Sequence, residues 1–283
     1  MLAMEVENRI TGAGSTLTAA ERRVAEIVLA RPELVAFGTV AELAEAAAAG
    51  AATVVRLAVK LDFDGFTALQ AAVQTELSNQ LRPAAVRIRE TRGGVAVERH
   101  LERELGNVQT TLLAVSESDI TTAVARLSDL SRAVLVLTGD ASTGVSQQFV
   151  GDLLALRPGV ELLTGNEVAV SRRLAQIRPG DVIVAIDLRR YDRWVVETTR
   201  DAKRRKAWIL ALSDSALSPL AGVSDVSMVL SAGGVSPFDS HVGTLALLNV
   251  LVAGAAEELR DEATERLDRA EAAWSAGSQL IER

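Results

Sequence analysis

Between Thr39 and Phe66 the apolar residues keep a regular spacing. Val40, Leu43, Ala44 and Ala47 recur three and four positions apart, the small-residue stretch Ala48-Ala49-Gly50-Ala51 interrupts them, and the spacing resumes at Val54, Leu57, Ala58 and Leu61. This pattern predicts two short helices, each with one buried face, crossing at a tight turn: a helix-turn-helix. In the second helix Thr53, Arg56 and Lys60 follow at i, i+3 and i+7. They are expected to point outward as hydrogen-bond donors to the major groove of a double-stranded DNA operator. An alanine-rich helical hairpin with solvated charges satisfies the same spacing. A further helix is predicted from Thr67 to Leu81.

Pro83 and the arginine-rich segment up to Gly93-Gly94 then break the helical pattern. They mark a linker over residues 83–104, after an all-α domain of residues 1–82. Arg82, Arg87, Arg89 and Arg92 read either as a solvated hinge or as phosphate contacts. Helical periodicity returns from Glu98 to about Leu130, carried by Leu101, Leu105, Val108, Leu112 and Val115. Beyond it, residues 133–138, 160–164, 181–186, 207–212 and 225–230 are short apolar runs rich in β-branched residues and bounded by polar or turn residues. Such runs predict buried parallel strands, with helices near Thr143–Leu156, Val168–Gln176 and Asp192–Arg205 and a short turn near Ser218. Residues 105–260 are therefore expected to form an α/β three-layer sandwich around a five-stranded parallel sheet, ending in a long helix from Asp239 to Arg260. Residues 261–283 read as a C-terminal helix, from Glu262 to Ile281, whose Leu267, Ala270, Trp274 and Leu280 suit packing against a neighbour or partner.

In an open α/β sheet, ligands bind beyond the carboxyl ends of the strands. Here those positions hold Gly139 and Thr143 after the first run, Asp187, Arg189 and Arg190 after the third, Ser213 and Ser215 after the fourth, and Ser240 ahead of the long helix. Hydroxyls, amide N–H groups at helix starts and two guanidiniums converging on one crevice would hold a phosphate or carboxylate, so a small anionic effector is expected. A structural Arg–Asp pair filling a disused pocket accounts for the same residues.

Composition narrows these possibilities. A net charge of −7 excludes a diffuse basic coat, and residues 1–82 carry seven Lys or Arg against ten Asp or Glu. DNA affinity must then come from a local patch such as Arg22, Arg23, Arg56 and Lys60, doubled by dimerisation. The absence of cysteine removes disulfides, thiolate metal sites and cysteine nucleophiles. Two distant histidines, His100 and His241, leave little material for a histidine metal centre or a Ser-His-Asp triad. No catalytic residue, metal or cofactor is therefore expected. No apolar run approaches the roughly 18–20 residues of a membrane span, and MLAMEVENRI lacks the basic start of a signal peptide, which predicts a cytoplasmic protein.

LTAAERRVAEIVLARPELVAFGTVAEL, the helix pair and KLDFDGF together resemble the N-terminal domain of the RpiR family of bacterial transcription regulators. The resemblance runs from Leu17 to about Leu77 on ordered motifs: LTxxER opening a helix, AxLA in the first reader helix and TVVRLxxKLxFxGF from the second onward. The chain departs at Ala48, where the family usually has Gly, and at Gly50, where it usually has a Ser or Thr cap. A second resemblance, over about Leu105 to Glu258, is to the sugar isomerase (SIS) domain that follows the helix-turn-helix in these regulators and binds phosphosugars. RPGDVIVAID, SDSALSPLA and FDSHVGTLALLNVLV carry it. The usual Gly-x-Gly-x-Ser loop is represented by Gly139, Ala141 and Thr143, and the usual Ser-x-Ser-Gly loop is replaced by Asp187-Leu188-Arg189-Arg190-Tyr191, as in a variant branch with Arg-Arg-Tyr. Together these resemblances imply a homodimeric or larger regulator, not an enzyme, that binds an operator and a small anionic effector. The rivals are an aldose–ketose isomerase taking its base from Asp187, Asp214, Asp239, Glu167 or His241, and a regulator whose disused pocket leaves it only a dimerising role.

Overall fold

The computed structural model describes residues 5–13, 16–80, 84–90, 97–164, 167–216 and 218–279. The chain divides into two compact units, residues 1–90 and 91–283.

In the first unit the described residues form helices α1 (Glu5–Ala13), α2 (Ala19–Ala30), α3 (Pro32–Phe37), α4 (Val40–Ala46), α5 (Ala51–Lys60), α6 (Gly65–Gln80) and α7 (Ala84–Glu90). Two starts are fixed by Thr-x-x-Glu sequences that close as reciprocal caps. The Thr18 and Thr39 hydroxyls accept from the backbone N–H of Glu21 and Glu42, whose carboxylates accept in return from the threonine N–H groups. With these starts fixed, Leu43 and Ala44 of α4 meet Val54, Leu57 and Ala58 of α5 in a core shared with Val24, Val28 and Leu69. Each fully buried Leu or Val contributes about 1.5–3 kcal/mol, enough to fix which side of α5 faces inward. α5 packs against α2, α4 and α6.

The second unit opens with α8 (Val97–Ala114) and α9 (Glu117–Ser128). It continues as β1 (Val134–Thr138), α10 (Thr143–Leu156), β2 (Val160–Leu162), α11 (Glu167–Leu174), β3 (Val182–Asp187), α12 (Arg193–Arg204), β4 (Trp208–Ser213), β5 (Val226–Val229), α13 (Val242–Glu258) and α14 (Arg260–Ala276). The strands form one parallel sheet in the order β2-β1-β3-β4-β5. Alternate residues enter opposite cores, as the period-two geometry of a strand requires. Val136, Val184, Ile186 and Leu212 join Phe149, Leu153, Leu247 and Leu251 of α10 and α13, whereas Leu137, Ile183, Ala185 and Ile209 join Val170 of α11 and Val195 of α12. This is the expected three-layer sandwich on a five-stranded parallel sheet. The chain leaves β1 toward β2 and later returns on its other side as β3, so the crevice of the sheet opens between the carboxyl ends of β1 and β3.

Several bounds differ from the sequence expectation. Helices α7 and the start of α8 lie in the stretch read as linker; Arg82, Arg92, Gly93 and Gly94 fall outside the described residues. The long helix begins at Val242 instead of Asp239, because the Ser240 N–H bonds back to the Ala232 carbonyl at 2.9 Å and holds the preceding residues as a loop. The last helix ends at Ala276, with Leu280 outside the described residues. Among the described residues no single helix is long and apolar enough to cross a membrane.

Candidate functional site

The helix pair α4–α5 is joined through Ala47–Gly50. Ala48 takes the left-handed conformation (φ 45°), and the N–H groups of Ala48 and Ala49 return to the carbonyls of Glu45 and Ala44 at 3.0 and 2.9 Å. That is a Schellman closure made without glycine. Arg23 from α2 reinforces it, donating to the Ala47 and Ala48 carbonyls at 3.1 and 3.0 Å. Gly50 begins α5 with no side-chain cap.

Of the three residues expected to read DNA, Arg56 is exposed on α5, with one guanidinium nitrogen donating to the Thr53 hydroxyl at 3.0 Å. Thr53 is a correction: it is buried, 7% exposed, and does not point outward. Lys60 is half-buried at its side chain and committed to the protein, donating to the Thr16 carbonyl at 2.6 Å and to Glu21 at 2.9 Å. The bond from Lys60, with those from Thr18, holds the Glu21 carboxyl down at about 2. The outer surface of α5 is instead carried by Ala51, Ala52, Val55, Arg56, Val59 and Lys60. Val55 and Val59 were legible only as the valines that fall off the buried stripe.

At the carboxyl end of the sheet, Asp187 closes β3 opposite Ser213, which closes β4. The Asp187 carboxyl lies so near Gly139, just after β1, that a β-carbon at 139 would sit 2.1 Å from its Oδ1. Its Oδ2 accepts from the Asp192 N–H at 2.7 Å, and Asp192 Oδ2 accepts in turn from the Asp140 N–H at 2.9 Å. Burial pushes Asp187 up to about 7 and Asp214, beyond β4, up to about 6. Tyr191 donates to Asp214 at 2.9 Å, and burial pushes its phenol well above its usual range. Arg189 makes a two-nitrogen ion pair with Oδ1 of Asp239. Burial works against its charge, and the Asp239 carboxylate more than offsets that. Its carboxylate partner is thus Asp239, as a structural Arg–Asp pair requires.

The structure therefore draws Gly139, Asp187 and Ser213 together. Thr143 starts α10 and reaches the Gly139 carbonyl only at 3.5 Å. Ser215 is buried. Arg190 is exposed in a left-handed conformation (φ 66°). Ser240 donates to Glu104 of α8. Asp214 and Asp239, anticipated only as bases of the rival isomerase, join the site through these bonds, as do Asp192 and Tyr191 of the replaced loop. Ser142 has a fully buried hydroxyl with no hydrogen-bond partner among the described residues. His241 precedes α13; burial lowers its imidazole, opposed by Asp239 and a bond to the Ala141 backbone. Chemically, the crevice presents carboxyls held near neutrality, one neutralised guanidinium and buried hydroxyls.

A helix-turn-helix with an exposed outer face, followed in the same chain by a parallel α/β unit with a polar crevice, defines a DNA-binding transcription regulator with a second, α/β domain. The helix-turn-helix domain of the rpiR family matches residues 4–80, and the SIS domain matches residues 159–254. The chain belongs to the RpiR family of transcription regulators. It is similar to an uncharacterised HTH-type transcriptional regulator of Haemophilus influenzae, 24% identical over 229 residues and covering 79% of each chain. Among solved structures it is similar to the sugar isomerase domain of an RpiR transcription factor from Sphaerobacter thermophilus (TM-score 0.58, 26% identity, 61% of this chain and 96% of that one). It shares a fold with the Vibrio vulnificus NanR protein complexed with ManNAc-6P (TM-score 0.55, 20% identity, full coverage of both).

Proposed function

We propose that this regulator binds a palindromic operator as a homodimer or larger assembly, places α5 in the major groove, and changes its operator binding when a small anionic metabolite, a phosphosugar or another small acid, enters the strand-end crevice. It does so without catalysis. The observation that carries the DNA reading is the exposed outer face of α5 with Arg56 at its middle. A phosphosugar-type effector is supported by the NanR protein of like fold, which was solved with ManNAc-6P. Self-association is supported by α8, where Val97, Leu101 and Leu105 are 76%, 59% and 61% exposed while Asn107 and Thr111 of the same helix are buried. Effector binding would act by population shift, favouring one separation of two reader helices over half-sites about 34 Å apart.

The test is to select duplexes from a randomised pool with the full chain and measure affinity for the selected site. Arg56→Ala is expected to weaken binding by about 1–3 kcal/mol with the fold intact, and affinity to fall steeply as salt rises. Unchanged affinity in that variant would remove α5 from the interface. Addition of ManNAc-6P, sugar acids and other small acids to the same complex then tests sensing, since a ligand bound by the folded chain also raises its melting temperature.

A further inference from the structure

The outer face of α5 is more apolar than a solvated surface requires. Residues of a helix project about 100° apart, which places Ala52, Val55, Arg56 and Val59, at i, i+3, i+4 and i+7, at the centre of the exposed arc. Thr53, Val54, Leu57 and Ala58 occupy the opposite side and are buried. Lys60 stands at the edge of the arc, tied back to Glu21. Val55 and Val59 are 41% and 58% exposed. Two exposed valines and an alanine beside one arginine make a surface with few donors and several methyl groups.

We propose that this face reads thymine: Ala52, Val55 and Val59 pack against thymine C5-methyl groups in the major groove, on either side of a base or phosphate contacted by Arg56. The proposal rests on the reading of α5 as the operator helix. Among the base edges of the major groove only thymine presents a methyl group. Valine and alanine side chains have nothing to offer the amino group of adenine or cytosine, and burying that donor against them would leave it unpaired. The same residues therefore favour thymine and penalise its alternatives. Small residues at the start of the helix, Gly50, Ala51 and Ala52, let the backbone approach the bases closely, and the amino-terminal part of a recognition helix is the part that meets base edges. The valines, one turn apart, would then define neighbouring thymine positions within each half-site.

The experiment uses the full chain and the duplex selected above, with each thymine replaced in turn by deoxyuridine, which removes only the methyl group. At two or more positions per half-site the substitution is expected to weaken binding about fourfold, the effect of losing one buried methyl contact. Val55→Ser and Val59→Ser alter exposed positions and are expected to fold normally; each should lose the thymine-over-uracil preference at one of those positions and keep it at the other. A duplex whose affinity is the same with uracil at every position would overturn the thymine proposal while leaving α5 as a DNA reader. So would valine variants that retain the full methyl dependence, or that change the sedimentation of the protein and not its DNA preference. Failure to select any duplex over random DNA would overturn the operator reading itself, and the thymine proposal with it.

Discussion

The buried Asp187 carboxyl keeps its place only with glycine at residue 139; any β-carbon there would collide with its Oδ1. With its carboxyl pushed up to about 7, the folded chain binds that proton more tightly than the unfolded chain does. The linkage follows in sign. The cost of burying Asp187 is absent below its ordinary value near 4, grows as the pH rises, and is complete above about 7. Asp187→Asn keeps an acceptor for the Asp192 N–H and is expected to stabilise the protein by about 1–3 kcal/mol at pH 8, and far less at pH 5. Melting curves at the two pH values check this, and an equal gain at both would contradict it. The sequence marked Asp187 by its place at the end of an apolar run. It offered no means of pairing Arg189 with Asp239, 50 residues on, or Tyr191 with Asp214, 23 residues on.

At the scale of elements, the existence and type of the strands and of the helix pair were the most legible feature, because apolar spacing is written within a few residues, whereas helix bounds shifted where a distant bond intervened, as at Val242. The orientation of α5 was less so. A two-helix pair buries a narrow stripe, on which Thr53 is an outside residue. α5 packs against three helices, so its buried arc widens to take in Thr53, while Val55 and Val59, which lie off the stripe, stay exposed. Lys60 shows the same effect: an apparent DNA donor serves as a tie from α5 to the start of α2. Since Glu21 is held at about 2, its contribution is present above its ordinary value of 4.5 and is lost as the pH falls toward 2. Lys60→Met is accordingly expected to cost about 1 kcal/mol at pH 7 and little near pH 2.5. Hydrogen exchange of the α5 amides in the full chain, compared at the two pH values, measures it. A cost that does not diminish in acid would mean that Lys60 acts through something other than Glu21.

For the whole molecule, the informative helix is α8, which hides polar Asn107 and Thr111 and exposes its leucines. Asn107 donates to the Gly233 carbonyl at 2.9 Å, and the Thr111 hydroxyl accepts from the Ser231 N–H at 2.9 Å, so the buried side serves the backbone after β5. The apolar side is left for another surface. Replacing Leu101 and Leu105 together by Ser is expected to yield a folded monomer in sedimentation, with operator affinity reduced because two readers no longer act together. A variant that still sediments as the unsubstituted protein does would take α8 out of the assembly.

The sequence alone determined the two kinds of domain and their order, the five strands, the helix pair and the strand-end loops, because hydrophobic period and turn chemistry are local and each was written within a few residues. Tertiary structure decided what those loops do. The parallel register sets Asp187 beside Ser213 and over Gly139, and the neighbouring loops bring Asp239 to Arg189 and Asp214 to Tyr191. It also decided which side of α5 and of α8 remains in contact with water. Those outcomes depend on which elements pack together across the chain, and no spacing within one segment encodes its neighbours.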